Sequence, residues 1–149
     1  MACIDLGSWD THFFQGNAVG SQADRARVLG QGLEALETDL RAERADYSVL
    51  VITEFGRRIY ENSSLGTDHG RGFAAMLLSD KIKGGRILGP RNFLDDDGEG
   101  GEGMKVVGGM RIEHDFRDLF SDVLHGTMGM AQPAALFRGY TPGATGLLA

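Results

Sequence analysis

A stretch without polar alternation, Tyr47 to Thr53, follows closely on a pattern of helical period, and this juxtaposition constrains the fold more than any other feature of the chain. Leu29, Leu33, Leu36 and Leu40 recur at helical spacing, which predicts one long amphipathic helix from Ser21, as N-cap, to Glu43. Its apolar stripe should pack on a sheet, so truncating Leu33 or Leu36 to Ala is expected to cost roughly 2 to 5 kcal/mol. An unalternating strand is what a parallel sheet buried on both faces requires. Ahead of the helix, Cys3-Ile4-Asp5-Leu6 reads as a short strand ending at Gly7. Strand, helix, strand is a βαβ unit with a right-handed crossover, which predicts an α/β fold with a mostly parallel sheet.

Beyond a loop rich in Asn, Ser and Gly, Phe73 to Leu78 is another apolar run of strand length. Lys83 to Gly89 suggests a turn and a short strand, an edge hairpin on that sheet. Asp95 to Gly103 is acidic and Gly-rich and is expected to be mobile. Phe116, Leu119, Phe120, Val123, Leu124 and Met128 mark a second amphipathic helix with Asp115 as its N-cap, and the tail from Pro133 reads as irregular.

With 149 residues, 42% of them hydrophobic, the chain suits a single domain over 1–149. The net charge of -6 argues against nucleic acid, which needs clustered Lys and Arg. No run of about 18 apolar residues offers a membrane span. The lone Cys3 excludes an internal disulfide and a cysteine-only metal cluster. The first residues lack the basic and apolar regions of a signal peptide, so with no targeting segment the chain reads as cytoplasmic as it stands.

Two short motifs flank the central apolar run: Gly7-Ser8-Trp9-Asp10-Thr11-His12 and Gly66-Thr67-Asp68-His69-Gly70. The run itself ends in Glu54-Phe55-Gly56-Arg57. Carboxylate and imidazole are the donors that zinc, manganese and iron prefer, and ligands collect at the carboxyl ends of strands in open α/β sheets. Asp10, His12, Glu54, Asp68 and His69 are therefore the candidate metal ligands. Each has a plainer alternative: Asp10 caps a turn while His12 is solvated, Asp68-His69 is itself a turn, and Glu54 pairs with Arg57 or Arg58. Arg57 is the candidate substrate contact, since a guanidinium matches phosphate or sulfate geometry. His125 reads as a satisfied surface histidine. Asp95, Asp97 and Glu99 echo a calcium loop but lack its closing bidentate Glu. Neither a P-loop nor a GxSxG elbow occurs.

Taken in order, "GSWDTH", "VLVITEFGRR", "ENSSLGTDHGRG", "IKGGRILG" and "HDFRDLFSDVL" resemble the bacterial family called domain of unknown function 1501. That family looks like a sulfatase-like branch of the alkaline phosphatase superfamily, which implies a three-layer α/β/α sandwich, here a partial one, with metals at the carboxyl ends of the strands. By this resemblance Asp10 and His12 correspond to the Asp and His of a first metal site, although the usual spacing is longer. His69 corresponds to the later His that completes it, with Asp68 assisting. The second metal's Asp-His pair falls where this chain has Glu54-Phe55, so Glu54 would stand for the carboxylate and the imidazole is missing; an alternative alignment puts Asp68-His69 there.

The superfamily's nucleophile lies in an N-terminal half that would precede these motifs. The resemblance therefore implies the carboxyl-terminal portion of a larger hydrolase, with intact relatives exported. The expectation is a metal-binding portion of a sulfatase- or phosphatase-like hydrolase of phosphate or sulfate esters, inactive alone, with zinc, manganese or calcium as cofactor. The rival is a non-catalytic remnant or interaction module that pairs through a sheet edge, with a missing half or with another copy of itself.

Overall fold

The structure, a computed structural model, describes residues 1–43, 46–89, 109–110 and 112–147. The expected helix is present as α1, Ser21–Ala42, although Gly20 and not Ser21 occupies the cap position and no side chain caps it. Local ties support it: Arg27 Nη1 lies 2.6 Å from Asp24 Oδ1, Arg41 pairs with Glu37, and Thr38 Oγ1 donates to the Glu34 carbonyl at 2.8 Å.

The central apolar run forms β1, Ser48–Val51. After β2 (Gly56–Arg57) and β3 (His69–Gly70), a fourth strand, β4 (Met76–Ser79), returns antiparallel to β1. Ser48 faces Ser79 with hydroxyls 2.8 Å apart, and Val49, Leu50 and Val51 face Leu78, Leu77 and Met76. β2 and β3 form a second antiparallel ribbon in which Gly56 faces Gly70 and Arg57 faces His69. Glycine is required at position 56, where a methyl group would sit 1.6 Å from the Gly72 carbonyl oxygen.

The mostly parallel sheet and the three-layer α/β/α sandwich expected of an alkaline phosphatase-like fold are therefore not what this chain forms. Among the described residues its sheets are two antiparallel ribbons of two strands each. Residues 3–6 join no ladder, so the βαβ unit lacks its first strand. Among the described residues α1 packs on neither ribbon, and none of its residues is buried. A short apolar run satisfies its backbone as well in an antiparallel ribbon as in a parallel sheet. The missing alternation of β1 reflects half-burial at all four positions rather than cover on both faces. Among the described residues Lys83 to Gly89 form no edge hairpin: Gly85 (φ 71°) and Gly89 (φ 134°) turn the chain out of extended geometry, and Arg86 Nε closes a turn onto the Lys83 carbonyl at 3.0 Å. The acidic segment Asp95 to Gly103 lies outside the described residues.

The second helix, α2 (Phe116–Gly126), starts as expected at Asp115, whose carboxylate accepts from the Arg117 backbone N–H at 2.9 Å. Its Val123, 8% exposed, is the buried hydrophobic side chain among the described residues. Asp118 accepts from the Tyr140 hydroxyl at 2.8 Å and the Gly143 N–H at 2.7 Å, folding the tail back onto α2. A short 3-10 turn, Pro133–Leu136, lies against the same helix. Lys81 Nζ joins α2 to the first ribbon, lying 2.9 Å from Asp46 Oδ2 and 3.1 Å from the Thr127 carbonyl. No helix of the described residues is long and apolar enough to cross a membrane.

Candidate metal centre

The site is built where two loops lie side by side. Residues 11–15 run against residues 62–67 through backbone hydrogen bonds from Phe14 N to the Ser64 carbonyl (3.0 Å), Gln15 N to the Leu65 carbonyl (2.8 Å) and Thr67 N to the Thr11 carbonyl (3.2 Å). Gly66 permits this approach, since a methyl group there would lie 2.2 Å from the His12 carbonyl carbon. Leu65, at φ 60°, and Phe14, at φ 45°, sit in the left-handed region on either side of the contact. The two loops thus fold against each other by backbone bonding and close approach rather than by apolar packing.

This contact brings Asp10, His12 and His69 together, with one donor atom from each lying within 4.8 Å of the others. His69 Nε2 lies 2.8 Å from Asp10 Oδ1, and His12 Nε2 lies 3.1 Å from both that oxygen and His69 Nε2. Donors held tetrahedrally at about 2.0–2.2 Å around one ion stand about 3.3–3.6 Å apart, so this cluster, drawn together by hydrogen bonds at 2.8–3.1 Å, is slightly tighter than a coordination sphere. His69 comes from β3, and its ring stacks on Phe55 with centroids 3.9 Å apart. Phe55, which has no imidazole to offer, thus serves as a platform for one that does.

Asp68 stands behind His12, with Oδ1 3.1 Å from Nδ1. Asn62 supports the pair, its Nδ2 donating to Asp68 Oδ1 at 2.9 Å and to the His12 carbonyl at 3.1 Å. The Asn62 side-chain oxygen accepts from Ser64 N and Gly66 N, which makes the turn that carries Asp68 forward. These contacts lower the Asp68 pKa, the Asn62 hydrogen bond most strongly and the His12 contact next. The Asp10 carboxyl is likewise held below its ordinary value, first by the His69 hydrogen bond and then by the Arg57 and His12 charges.

Arg57 faces inward. Nη2 reaches Asp10 Oδ1 at 2.5 Å and the Trp9 carbonyl at 3.1 Å, and Nη1 reaches the Thr67 carbonyl at 2.6 Å. Arg57, the candidate substrate contact of the sequence, ties the two loops together and pairs with Asp10. Glu54 is not brought to the cluster; it is exposed and lines a separate recess with Phe73, Phe116 and Phe120.

Two residues of the site escaped the sequence reading. Asn62 carried a signal in its Asn-Ser-Ser turn composition, while Gln15 carried none. The Gln15 side-chain oxygen accepts from Thr11 Oγ1 (2.8 Å) and Thr67 Oγ1 (2.7 Å), and its carbonyl accepts from Gln22 N at the start of α1 (3.2 Å).

The family described as protein of unknown function (DUF1501) has a model that matches residues 1–128. Neither a curated protein nor a solved structure matches the chain.

Proposed function

The chain belongs to the DUF1501 family, and on that premise we propose that it binds one divalent metal ion through Asp10, His12 and His69, as part of a site for phosphate or sulfate esters. The observation that carries this reading is the convergence of the three donor atoms within 4.8 Å. Two imidazoles and a carboxylate suit zinc or manganese better than calcium, which takes oxygen ligands. The side chains of Asp10, His69 and His12 are 57%, 50% and 32% exposed, so the site is open. Three protein ligands with room for a further one are the pattern of a metal that acts on substrate rather than one that only staples a fold. Such an ion would withdraw charge from an ester oxygen.

The rival reading, a metal-binding module without catalysis, is favoured by one observation. Thr11 and Thr67, the hydroxyls beside the cluster, both donate to the Gln15 amide oxygen, which is no base and cannot activate them as nucleophiles. The resemblance of the motifs to those of sulfatase-like hydrolases supports the ester reading.

Elemental analysis after zinc or manganese loading tests the metal. We expect one ion per chain, lost in a His12→Ala, His69→Ala double variant; unchanged metal content in that variant overturns the reading. Turnover of nitrophenyl phosphate and nitrophenyl sulfate by the loaded chain separates the two versions. Turnover abolished by His69→Ala supports hydrolysis, and metal binding without turnover supports the module.

A further inference from the structure

The proposed ligands leave Asp68 without a role at the ion, although it is the carboxylate bonded to one of them. We infer that Asp68 is a positioning residue: it accepts the Nδ1 proton of His12 and so presents the bare Nε2 of that ring toward the Asp10–His69 side, with Asn62 holding Asp68 in place. This inference rests on the metal reading for its purpose, though not for its geometry.

An ionised carboxylate only accepts hydrogen bonds, so the 3.1 Å contact between His12 Nδ1 and Asp68 Oδ1 places the proton of a neutral ring on Nδ1. The other ring nitrogen, Nε2, then carries a lone pair, and it faces the donor atoms of Asp10 and His69. His69 is the opposite case. Its Nε2 lies 2.8 Å from Asp10 Oδ1, again an acceptor, so here Nε2 carries the proton and shares it with the His12 lone pair 3.1 Å away. One consistent proton arrangement follows: His12 Nδ1–H to Asp68, and His69 Nε2–H to Asp10 and His12 Nε2. His12 is held in its ligating tautomer before an ion arrives, whereas His69 must move its proton to Nδ1 to become a ligand.

The Asn62 amide fixes this asymmetry. One group, Nδ2, grips both Asp68 Oδ1 (2.9 Å) and the His12 carbonyl (3.1 Å), so ring and carboxylate are set by the same side chain. A carboxylate placed behind a ligating imidazole raises its basicity as well as its order, and removing such a partner weakens metal affinity by about 10–100-fold.

The test uses the full chain, and its first arm reads the wild-type protein. Histidine ring NMR of the metal-free protein, recorded at about pH 8 so that ordinary imidazoles are neutral and assigned with His12→Gln, should show His12 protonated at Nδ1. A ring protonated at Nε2 overturns the inference whether or not the chain binds metal. The second arm compares wild type with the isosteric Asp68→Asn by zinc competition against a chelator and by the visible spectrum of the cobalt-loaded chain. Weakening of about 10–100-fold with an unchanged cobalt spectrum is the expected result. A changed cobalt spectrum would make Asp68 a direct ligand, and unchanged affinity would leave it no part in binding; either overturns the positioning role. If wild type takes up no zinc or cobalt, the metal reading fails, and the tautomer alone decides this one.

Discussion

Gly66 and His12 touch through their backbones, with no room for even a methyl group between them: a Cβ at position 66 would stand 2.2 Å from the His12 carbonyl carbon and 2.3 Å from its oxygen. Backbone atoms cannot swing aside as a flexible side chain does, so the loop carrying His12 would have to move. Gly66→Ala is expected to cost about 1–3 kcal/mol, as overpacking does, and to lower zinc affinity through the shifted His12. Chemical denaturation together with metal competition checks this; a variant matching wild type in both would mean that the loops do not meet as described.

Phe55 supports His69 only by stacking, at a centroid distance of 3.9 Å, and donates nothing to an ion. Phe55→Leu is expected to retain one metal ion per chain while weakening its binding, because the ring it steadies gains freedom. Titration calorimetry with zinc reads the difference. Lost stoichiometry, rather than lowered affinity, would contradict the platform role.

The helix α1 now predicts the opposite of its sequence pattern. Leu33 and Leu36 are only half-buried, and among the described residues no other element packs on the helix. Leu33→Ala and Leu36→Ala should each change stability by less than about 1 kcal/mol, far below the cost at a filled core site, with Ala's higher helix propensity offsetting part of the loss. A denaturation midpoint shifted as far as a core truncation shifts it would show that the stripe is covered in solution.

Acid should fray α2. The Arg117 side chain, joined by its backbone N–H, holds the Asp115 carboxyl below its ordinary value, so the folded chain binds that proton less readily than the unfolded one. A carboxyl lowered on folding contributes its full stabilisation above the unfolded pKa of about 3.9 and loses it as pH falls through the lower folded value. Asp115→Asn keeps a capping oxygen and removes the titration. Helicity followed by circular dichroism should therefore fall more steeply below about pH 4 in wild type than in Asp115→Asn; parallel curves would rule the pair out as the cause.

What the sequence disclosed divides along physical lines. Periodicity reports which faces are apolar, and it located α1 and α2 to within a residue or two of Ser21–Ala42 and Phe116–Gly126. It does not report what an apolar run pairs with, which is why β1 reads as a parallel strand although its neighbour is the antiparallel β4. Residue type alone names Asp10, His12, Glu54, Asp68 and His69 as candidates, and it cannot tell that the chain gathers Asp10, His12 and His69 while leaving Glu54 apart. The roles of Arg57, Asn62 and Gln15 depend instead on the Trp9 carbonyl, the His12 carbonyl and the Thr67 hydroxyl, which meet them across 48, 50 and 52 residues of chain, and composition holds no trace of such partners.

Arg57 binds the carbonyl of Trp9, the residue just before Asp10, and Trp9 is the chain's single tryptophan. The molecule therefore carries its own optical probe. Under selective excitation every photon this chain emits from an indole originates beside Asp10, half-buried at the edge of the loop contact. A paramagnetic ion arriving at the cluster would quench that emission, and loosening of the loops would shift its wavelength, so occupancy and local opening can be read separately from one unlabelled sample.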